Sequence, residues 1–218
     1  HIHRMNADGT IGTRVHNYDW TSGWTTAQFF TSGSKTYLFL LKASSGQVHI
    51  QKMNSNGSVG SRTQTSDWTS GWDTVEIEKI GSTNYLYLLK SSDGTFKVHP
   101  LTSSGRVSSN IMSRDWSSGW TTAEFYEVSG QKYLMLLKKG NGIVHLHRMN
   151  SNGTVGSSVA DYDWSGGWST VTFFEHPANS STTHMMLLKK GTGRVHIHKM
   201  KSNGSVGNRT FTRNWTTG

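Results

Sequence analysis

The sequence predicts an all-β fold built from repeated four-stranded antiparallel units, and three observations carry that prediction. Tryptophan recurs every 48 residues, at Trp20, Trp68, Trp116 and Trp164. An apolar run, YLFLLK in its first copy, recurs in the same phase. No segment shows an apolar stripe with the 3.6-residue period of a helix. Repeats of 40 to 50 residues with four strands each are typical of β-propeller blades.

The first full repeat shows the predicted strands in order. Strand a is TTAQFF, ending at Phe30, and strand b is TYLFLLK, ending at Lys42. Strand c is QVHIQKM, ending at Met53, and strand d is SRTQTSDW, ending at Trp68. Aromatic and β-branched residues favour strands in these pieces. An Asn-Gly pair between c and d predicts a two-residue hairpin turn.

The remaining copies keep these landmarks. DWTSGW recurs as DWTSGW, DWSSGW and DWSGGW, and YLFLLK recurs as YLYLLK, YLMLLK and HMMLLK. The segment VHIQKMNSNGSVG from Val48 recurs as VHPLTSSGRV from Val98, VHLHRMNSNGTVG from Val144 and VHIHKMKSNGSVG from Val195. We therefore predict one propeller domain over 1–218. It divides into a half blade at 1–19, full repeats at 20–67, 68–115, 116–163 and 164–214, and the start of a truncated repeat at 215–218.

The length suggests a blade number. Five periods of 48 residues need 240, and 218 falls short by 22, about the length of strands a and b with a turn. A five-bladed ring with one blade incomplete is the expectation, and a four-bladed ring is the alternative. An unpaired strand edge tends to pair with a strand of another chain, so the incomplete blade also predicts pairing of two copies.

Composition excludes several classes. The chain has no Cys, which rules out disulfides, thiolate metal sites and a Cys nucleophile. No apolar run approaches the ~20 residues of a membrane helix, and no signal-like segment is present. The net charge of +9 favours anionic cell surfaces as partners. Lys and Arg are spread over every unit, however, so a polyanion or nucleic-acid binder is only a third reading.

Candidate site residues follow from strand direction. Because strands alternate within a blade, the d-to-a loop and the b-to-c loop lie at the same end. The sets placed there are Asp19, Trp20, Trp24, Lys42 and His49; Asp67, Trp68, Trp72, Lys90 and His99; Asp115, Trp116, Trp120, Lys138 and His145; and Asp163, Trp164, Trp168, Lys189 and His196. Indole rings can stack on a pyranose while polar groups hold its hydroxyls. Packing between blades, with Asp as a turn cap, is the alternative for these residues.

Alternate histidines such as His145 and His147 are spaced as zinc or copper ligands could be. Gln51 and Leu101 replace the second histidine in two units. Packing between blades is therefore favoured for these residues, and neither a metal nor another cofactor is expected.

The repeats also bear on catalysis. A glycosidase needs two carboxylates about the scissile bond, whereas the aspartates that keep phase occur once per unit. No G-x-S-x-G, H-E-x-x-H or phosphate-binding glycine loop is present. Catalysis needs one asymmetric constellation and the repeats are nearly symmetric, so we expect a protein that is not an enzyme.

Trp-rich blades of this period, with the motifs DWxSGW and VHIHxMNSNG, resemble the five-bladed tachylectin-2-like lectins and the tectonin-like repeat lectins. The resemblance extends over the whole chain in architecture and period. It implies binding of N-acetylated or related sugars, at one site per blade or between adjacent blades. We therefore expect a secreted, multivalent lectin that recognises cell-surface glycans. A protein-interaction or structural propeller, such as an accessory domain of a toxin, is the alternative.

Overall fold

The structure, a computed structural model, describes residues 1–176 and 179–215, and within them it has strands and no helix. The first two strands form a hairpin of β1 (Ile2–Met5) and β2 (Ile11–His16). Blade 1 comprises β3 (Thr26–Ser32), β4 (Lys35–Lys42), β5 (Gln47–Met53) and β6 (Val59–Asp67). Blade 2 comprises β7 (Thr74–Ile80), β8 (Thr83–Leu89), β9 (Thr95–Leu101) and β10 (Met112–Asp115). Blade 3 comprises β11 (Thr122–Val128), β12 (Gln131–Leu137), β13 (Ile143–Met149) and β14 (Val155–Asp163). Blade 4 comprises β15 (Thr170–His176), β16 (Asn179–Lys189), β17 (Arg194–Met200) and β18 (Val206–Asn214).

Every blade is a four-stranded sheet whose strands pair in chain order. The predicted fold class, all-β with four-stranded antiparallel blades of the propeller type, is confirmed. The chain divides into two compact units. One comprises His1–Leu88 and His99–Ile111, and the other comprises Leu89–Val98 and the described residues from Met112 onward. Within the described residues no helix is long and apolar enough to cross a membrane.

The second strand of each blade forms the centre of the core. In β4 all five residues from Tyr37 to Leu41 are buried, on both faces of the sheet. A strand covered on both faces reads as a continuous apolar run rather than an alternating one. This burial explains why YLFLLK and its copies in β8 and β12 hardly alternate in polarity. In β16 only alternate residues, Thr183, Met185 and Leu187, are buried.

Tyrosine rings join neighbouring sheets within each unit. In the first unit Tyr37 stacks on Phe30 and its hydroxyl donates to the carbonyl of Ser103 at 3.1 Å. In the second unit Tyr126 stacks on Phe173 at 4.2 Å, and its buried hydroxyl donates to the Gly204 carbonyl at 2.6 Å. Each ring thus contributes both apolar contact and a hydrogen bond to the packing of its unit.

The turn between strands c and d is longer than the sequence predicts. Asn54 donates its backbone N–H to the carbonyl of Ser58, which closes a five-residue connection over residues 54–58. The Asn56 side chain accepts from the backbone and hydroxyl of Ser58, at 2.9 and 2.7 Å. The prediction of a two-residue turn was wrong because this side-chain bond stabilises a wider loop.

In three blades, strand d carries a bulge at the same position. In blade 1 the pairing passes from Ile50 with Gln64 to Gln51 with Arg62, which leaves Thr63 as an extra residue. The Thr63 hydroxyl donates to the Ile50 carbonyl at 3.2 Å. Shifts at the same place follow Leu146 and Ile197. Because a bulge redirects the side chains beside it, it determines where Arg62 lies.

Candidate functional site

A lysine, an indole ring and an imidazole ring meet in three of the blades. The ammonium groups of Lys42, Lys138 and Lys189 lie 4.9, 4.8 and 4.8 Å from the ring centres of Trp24, Trp120 and Trp168. The same three indoles lie 4.7, 4.6 and 4.9 Å from His49, His145 and His196. The structure therefore brings together the lysine, second tryptophan and histidine of the first, third and fourth predicted sets.

The DWxSGW loop positions these groups. The glycine before each second tryptophan has a φ of 90 to 93°, at Gly23, Gly71, Gly119 and Gly167. A side chain would be strained at this φ. The lysine that closes strand b then donates to a hydroxyl of the same loop, as Lys42 does to Thr21 at 2.9 Å and Lys138 to Ser117 at 2.9 Å.

Most of the second tryptophans are covered. Trp72, Trp120 and Trp168 are 2, 1 and 4% exposed, and only Trp24 is half-buried. A buried ring beneath a lysine offers no free face to a sugar in this conformation. The indole N–H groups of Trp24, Trp120 and Trp168 are also buried without a hydrogen-bond partner in the described residues. Such groups are rare in proteins, and each carries a desolvation penalty of about 1–3 kcal/mol.

The first tryptophans are half-buried, and their surroundings differ between repeats. Trp68 stacks on His99 with ring centres 6.0 Å apart and planes at 11°, and Trp116 stacks on His147 at 5.7 Å and 22°. At Trp20 the corresponding strand position holds Gln51 instead of a histidine. An imidazole therefore covers the indole face in two repeats, and it is absent from the third.

The structure corrects the position given to His99. Gly94 donates its N–H to the carbonyl of Lys90, as Gly46 does to Lys42, which fixes the phase of blade 2. Counting from these glycines, Lys97 corresponds to His49, and His99 corresponds to Gln51. The Val-His pair used to align blade 2 occurs two residues later than in the other copies, so the alignment was wrong there.

The aspartates of the four sets are exposed. Asp67, Asp115 and Asp163 end the last strand of their blades, where they pair with Gln47, Thr95 and Ile143. Asp19 follows β2 and lines a cavity with three other residues of its set. In the second set, Trp72 belongs to the core of the first unit, whereas Lys90 belongs to the second unit.

That cavity is the candidate site that brings together most residues of one predicted set, and it lies wholly within the first unit. Its volume is about 380 Å³, and the predicted residues that line it are Asp19, Trp20, Trp24 and His49. Tyr18, Thr21, Gln47, Arg62 and Thr65 complete the wall. A second cavity of about 360 Å³ shares Tyr18, Trp20 and Arg62 with it and reaches Gln51. Volumes of this order suit small ligands.

Arg62, Tyr18 and Gln47 line the cavity but were not predicted from the sequence. Arg62 lines both cavities, and its guanidinium donates to the Thr65 hydroxyl at 3.4 Å. Arg62 lines the cavity because of the bulge in β6, and no pattern of residues in the sequence predicts that bulge. Tyr18, two residues before Trp20 and 5.6 Å from it, was detectable as an aromatic beside the DW motif.

The electrostatics of the site favour a neutral imidazole. Burial lowers the pKa of His49, and the positive charges of Arg62 and Lys42 lower it further, whereas Asp67 opposes them. A neutral ring can both donate and accept a hydrogen bond, which suits a ligand rich in hydroxyl groups. No group of three or more potential metal-ligating side chains (His, Cys, Asp or Glu) occurs in the part of the chain that the structure describes.

Comparisons with known proteins extend the description of the fold. No protein-family model matches the sequence, and no curated protein does. Among solved structures, a 6-phosphogluconolactonase-like protein from Bacteroides uniformis is similar with a TM-score of 0.66 at 14% identity, over 95% of this chain and 62% of that one. An exo-β-1,3-galactanase from Phanerochaete chrysosporium, in complex with β-1,3-galactotriose, has a TM-score of 0.57 at 13% identity, over 84% and 49%. The chain thus spans about half to two thirds of their length.

These similarities show a propeller architecture and no closer relationship. Membership of the tachylectin-2-like lectins is not shown by them. They do overturn the expectation that the protein is not an enzyme, because the similar structures include enzymes. Near-symmetric repeats do not exclude catalysis, because this architecture supports catalysis in other proteins and function depends on sites rather than on the fold.

Proposed function

We propose that the protein is a carbohydrate-binding protein of the lectin type whose main site is the cavity between the β2–β3 connection and strands β5 and β6 of blade 1. The observation that carries the proposal is the convergence of Trp20, Trp24 and Tyr18 with Asp19 and Arg62 around about 380 Å³. Aromatic faces suit the apolar side of a pyranose, and the charged groups can hydrogen-bond its hydroxyls.

The remaining repeats are proposed to be weaker sites rather than equal ones. His99 and His147 cover the faces of Trp68 and Trp116, so a sugar would have to displace an imidazole there. Gln51 leaves the corresponding space beside Trp20 as a cavity of about 360 Å³. Multivalent binding to cell-surface glycans then depends on the number of repeats in which a sugar can displace the imidazole from the indole face.

Two further points support sugar as the ligand class. The galactanase of similar fold is solved with a β-1,3-linked galactose trimer, and the Trp-rich repeats resemble those of the tachylectin-2-like lectins. Secretion remains part of the proposal, because cell-surface glycans lie outside the cell. The basic charge would add attraction to anionic surfaces.

Glycan-array binding followed by calorimetry on the best glycan tests the proposal. Trp20→Ala and Arg62→Ala should each weaken binding by at least about tenfold, or about 1.4 kcal/mol. Arg209→Ala is the matched control, because Arg209 pairs with His198 as Arg62 pairs with Gln51. Unchanged affinity in Trp20→Ala would contradict the assignment of the site.

The same samples distinguish other functions. Release of reducing sugar during the incubation would show that the cavity also hydrolyses its ligand. Binding that falls steeply with salt and shows no sugar competition would identify a polyanion binder instead. Capture of a protein partner with no effect of sugar would favour the interaction-module alternative.

A further inference from the structure

A different cavity lies at the opposite end of strand β17 from the lysine–tryptophan–histidine cluster of blade 4. It encloses about 790 Å³ within the second unit. Its apolar floor includes Val128 and Met200, which are 6 and 4% exposed. Lys199 and Lys201 stand on its wall.

The charged side chains that line this cavity are both cations. No carboxylate lines it among the described residues, and neither Lys199 nor Lys201 forms an ion pair with any of them. Both lysines are exposed at the edge of the cavity, and because they lie two residues apart in the sequence their like charges act together to attract an anion.

Hydrogen-bonding groups surround the lysines. The Asn203 side-chain carbonyl already accepts from the backbone and hydroxyl of Ser205, at 3.1 and 2.7 Å, so its amide N–H₂ group is left to donate. The Thr183 hydroxyl donates to the carbonyl of Glu127 at 2.5 Å, so its oxygen is left to accept. The wall therefore offers donors to an anionic oxygen and an acceptor to a hydroxyl group.

The first unit repeats the arrangement. A cavity of about 660 Å³ there is lined by Lys35, Lys52 and Met53, again with no carboxylate among the described residues. Lys52 pairs with Tyr37 as Lys199 pairs with His184, so the two lysines hold the same position in their blades. A cavity with a lysine at this position is thus present in two of the blades, one in each unit.

We propose that these cavities bind acidic saccharides, meaning sugars that carry a carboxylate or sulfate group, at the end of the blade opposite the indole cluster. The volume exceeds what a bare anion fills, the apolar floor suits a sugar ring, and the lysines suit its negative group. The site is separate from the cavity beside Trp20, so it stands or falls independently of that one.

Glucuronate and glucose are a matched pair of probes, because they differ only by a carboxylate in place of a hydroxymethyl group. Titration followed by backbone amide NMR should shift the signals of Asn203 and Asn208, which line the cavity. Glucuronate should bind at least about tenfold more tightly than glucose there, and added salt should weaken it.

Lys199→Gln and Lys201→Gln should each weaken glucuronate binding about three- to tenfold. Lys190→Gln is the control, since Lys190 is an exposed lysine of the same unit outside the cavity. Neutral-sugar binding that is sensitive to Trp20→Ala should persist in both cavity variants. Equal binding of glucose, equal binding of inorganic sulfate, or insensitivity to both lysine substitutions would overturn the proposal.

Discussion

Replacing Gly46 with alanine tests how the turn after β4 holds the loop that carries Trp68. Gly46 has a φ of 76°, and an added Cβ would lie 1.9 Å from the carbonyl oxygen of Trp68. Contacts below 3.0 Å do not persist, so the two backbones must separate by at least about 1.1 Å. The backbone hydrogen bond from Trp68 to the Gly46 carbonyl, now 2.9 Å, lies in the same contact.

The expected loss has two parts. The left-handed backbone disfavours alanine by about 1–2 kcal/mol, and the forced separation adds about 2–3 kcal/mol of overpacking and weakened hydrogen bonding. We therefore expect the free energy of unfolding to fall by about 4 kcal/mol. Gly33→Ala is the control, because its φ is 60° and nothing lies within 4 Å of the added Cβ. It should lose only the backbone part, about 1–2 kcal/mol.

Urea unfolding, followed by tryptophan fluorescence, measures the free energy of unfolding of both variants. For a chain of this size 1 kcal/mol corresponds to about 2–4 °C in Tm, so Gly46→Ala should melt about 8–16 °C below the parent protein. Equal losses in the two variants would refute the close approach as the reason for glycine at this position. Because Gln47 lines the cavity beside Trp20, weaker sugar binding by Gly46→Ala would also follow.

Two further predictions concern the second unit. Tyr126→Phe should lower the free energy of unfolding by about 1–2 kcal/mol, because it leaves the buried Gly204 carbonyl without its donor; in Tyr133→Phe, measured in the same urea series, the change should stay below about 0.5 kcal/mol. Burial, with His145 and Arg114, lowers the pKa of His147, although Asp161 opposes this. Because the pKa of His147 is lower in the folded state, the unfolded chain binds a proton at this histidine more readily. The contribution of neutral His147 to stability is therefore present above its ordinary pKa of about 6.5 and is lost as the pH falls below that value. His147→Gln should flatten this dependence in unfolding curves recorded between pH 5 and 7.

The strand order of each blade was predictable because a strand covered on both faces leaves a strong pattern. YLFLLK and its copies keep their apolar character through five positions that are all buried in β4. Gly and Asn supplied the boundaries, since turns with positive φ require them. Local chemistry was therefore sufficient for element type and pairing.

The site was less predictable, for reasons that lie in contacts distant along the chain. Spacing identifies Trp24 and Trp120 as equivalent, yet one is half-buried and the other 1% exposed. Arg62 reaches the cavity only because Thr63 is an extra residue in its strand. His99 was aligned two positions out of register with the other repeats, because short strings such as Val-His recur by chance in similar repeats. Packing against a neighbouring element, rather than the repeat itself, decides which equivalent residues can act.

The continuous burial of strand b has a consequence for how the chain folds. YLFLLK, YLYLLK and YLMLLK are apolar and contain aromatic β-forming residues, which is the composition of a segment that self-associates when exposed. Similar segments in successive repeats mean that a b strand can pair with a c strand of the wrong repeat at little loss of local fit. Correct assembly then depends on the sequence-adjacent hairpin forming first, because short loops close fastest. Heating that exposes several copies at once should favour cross-pairing, so survival of the native protein is governed by its rate of unfolding.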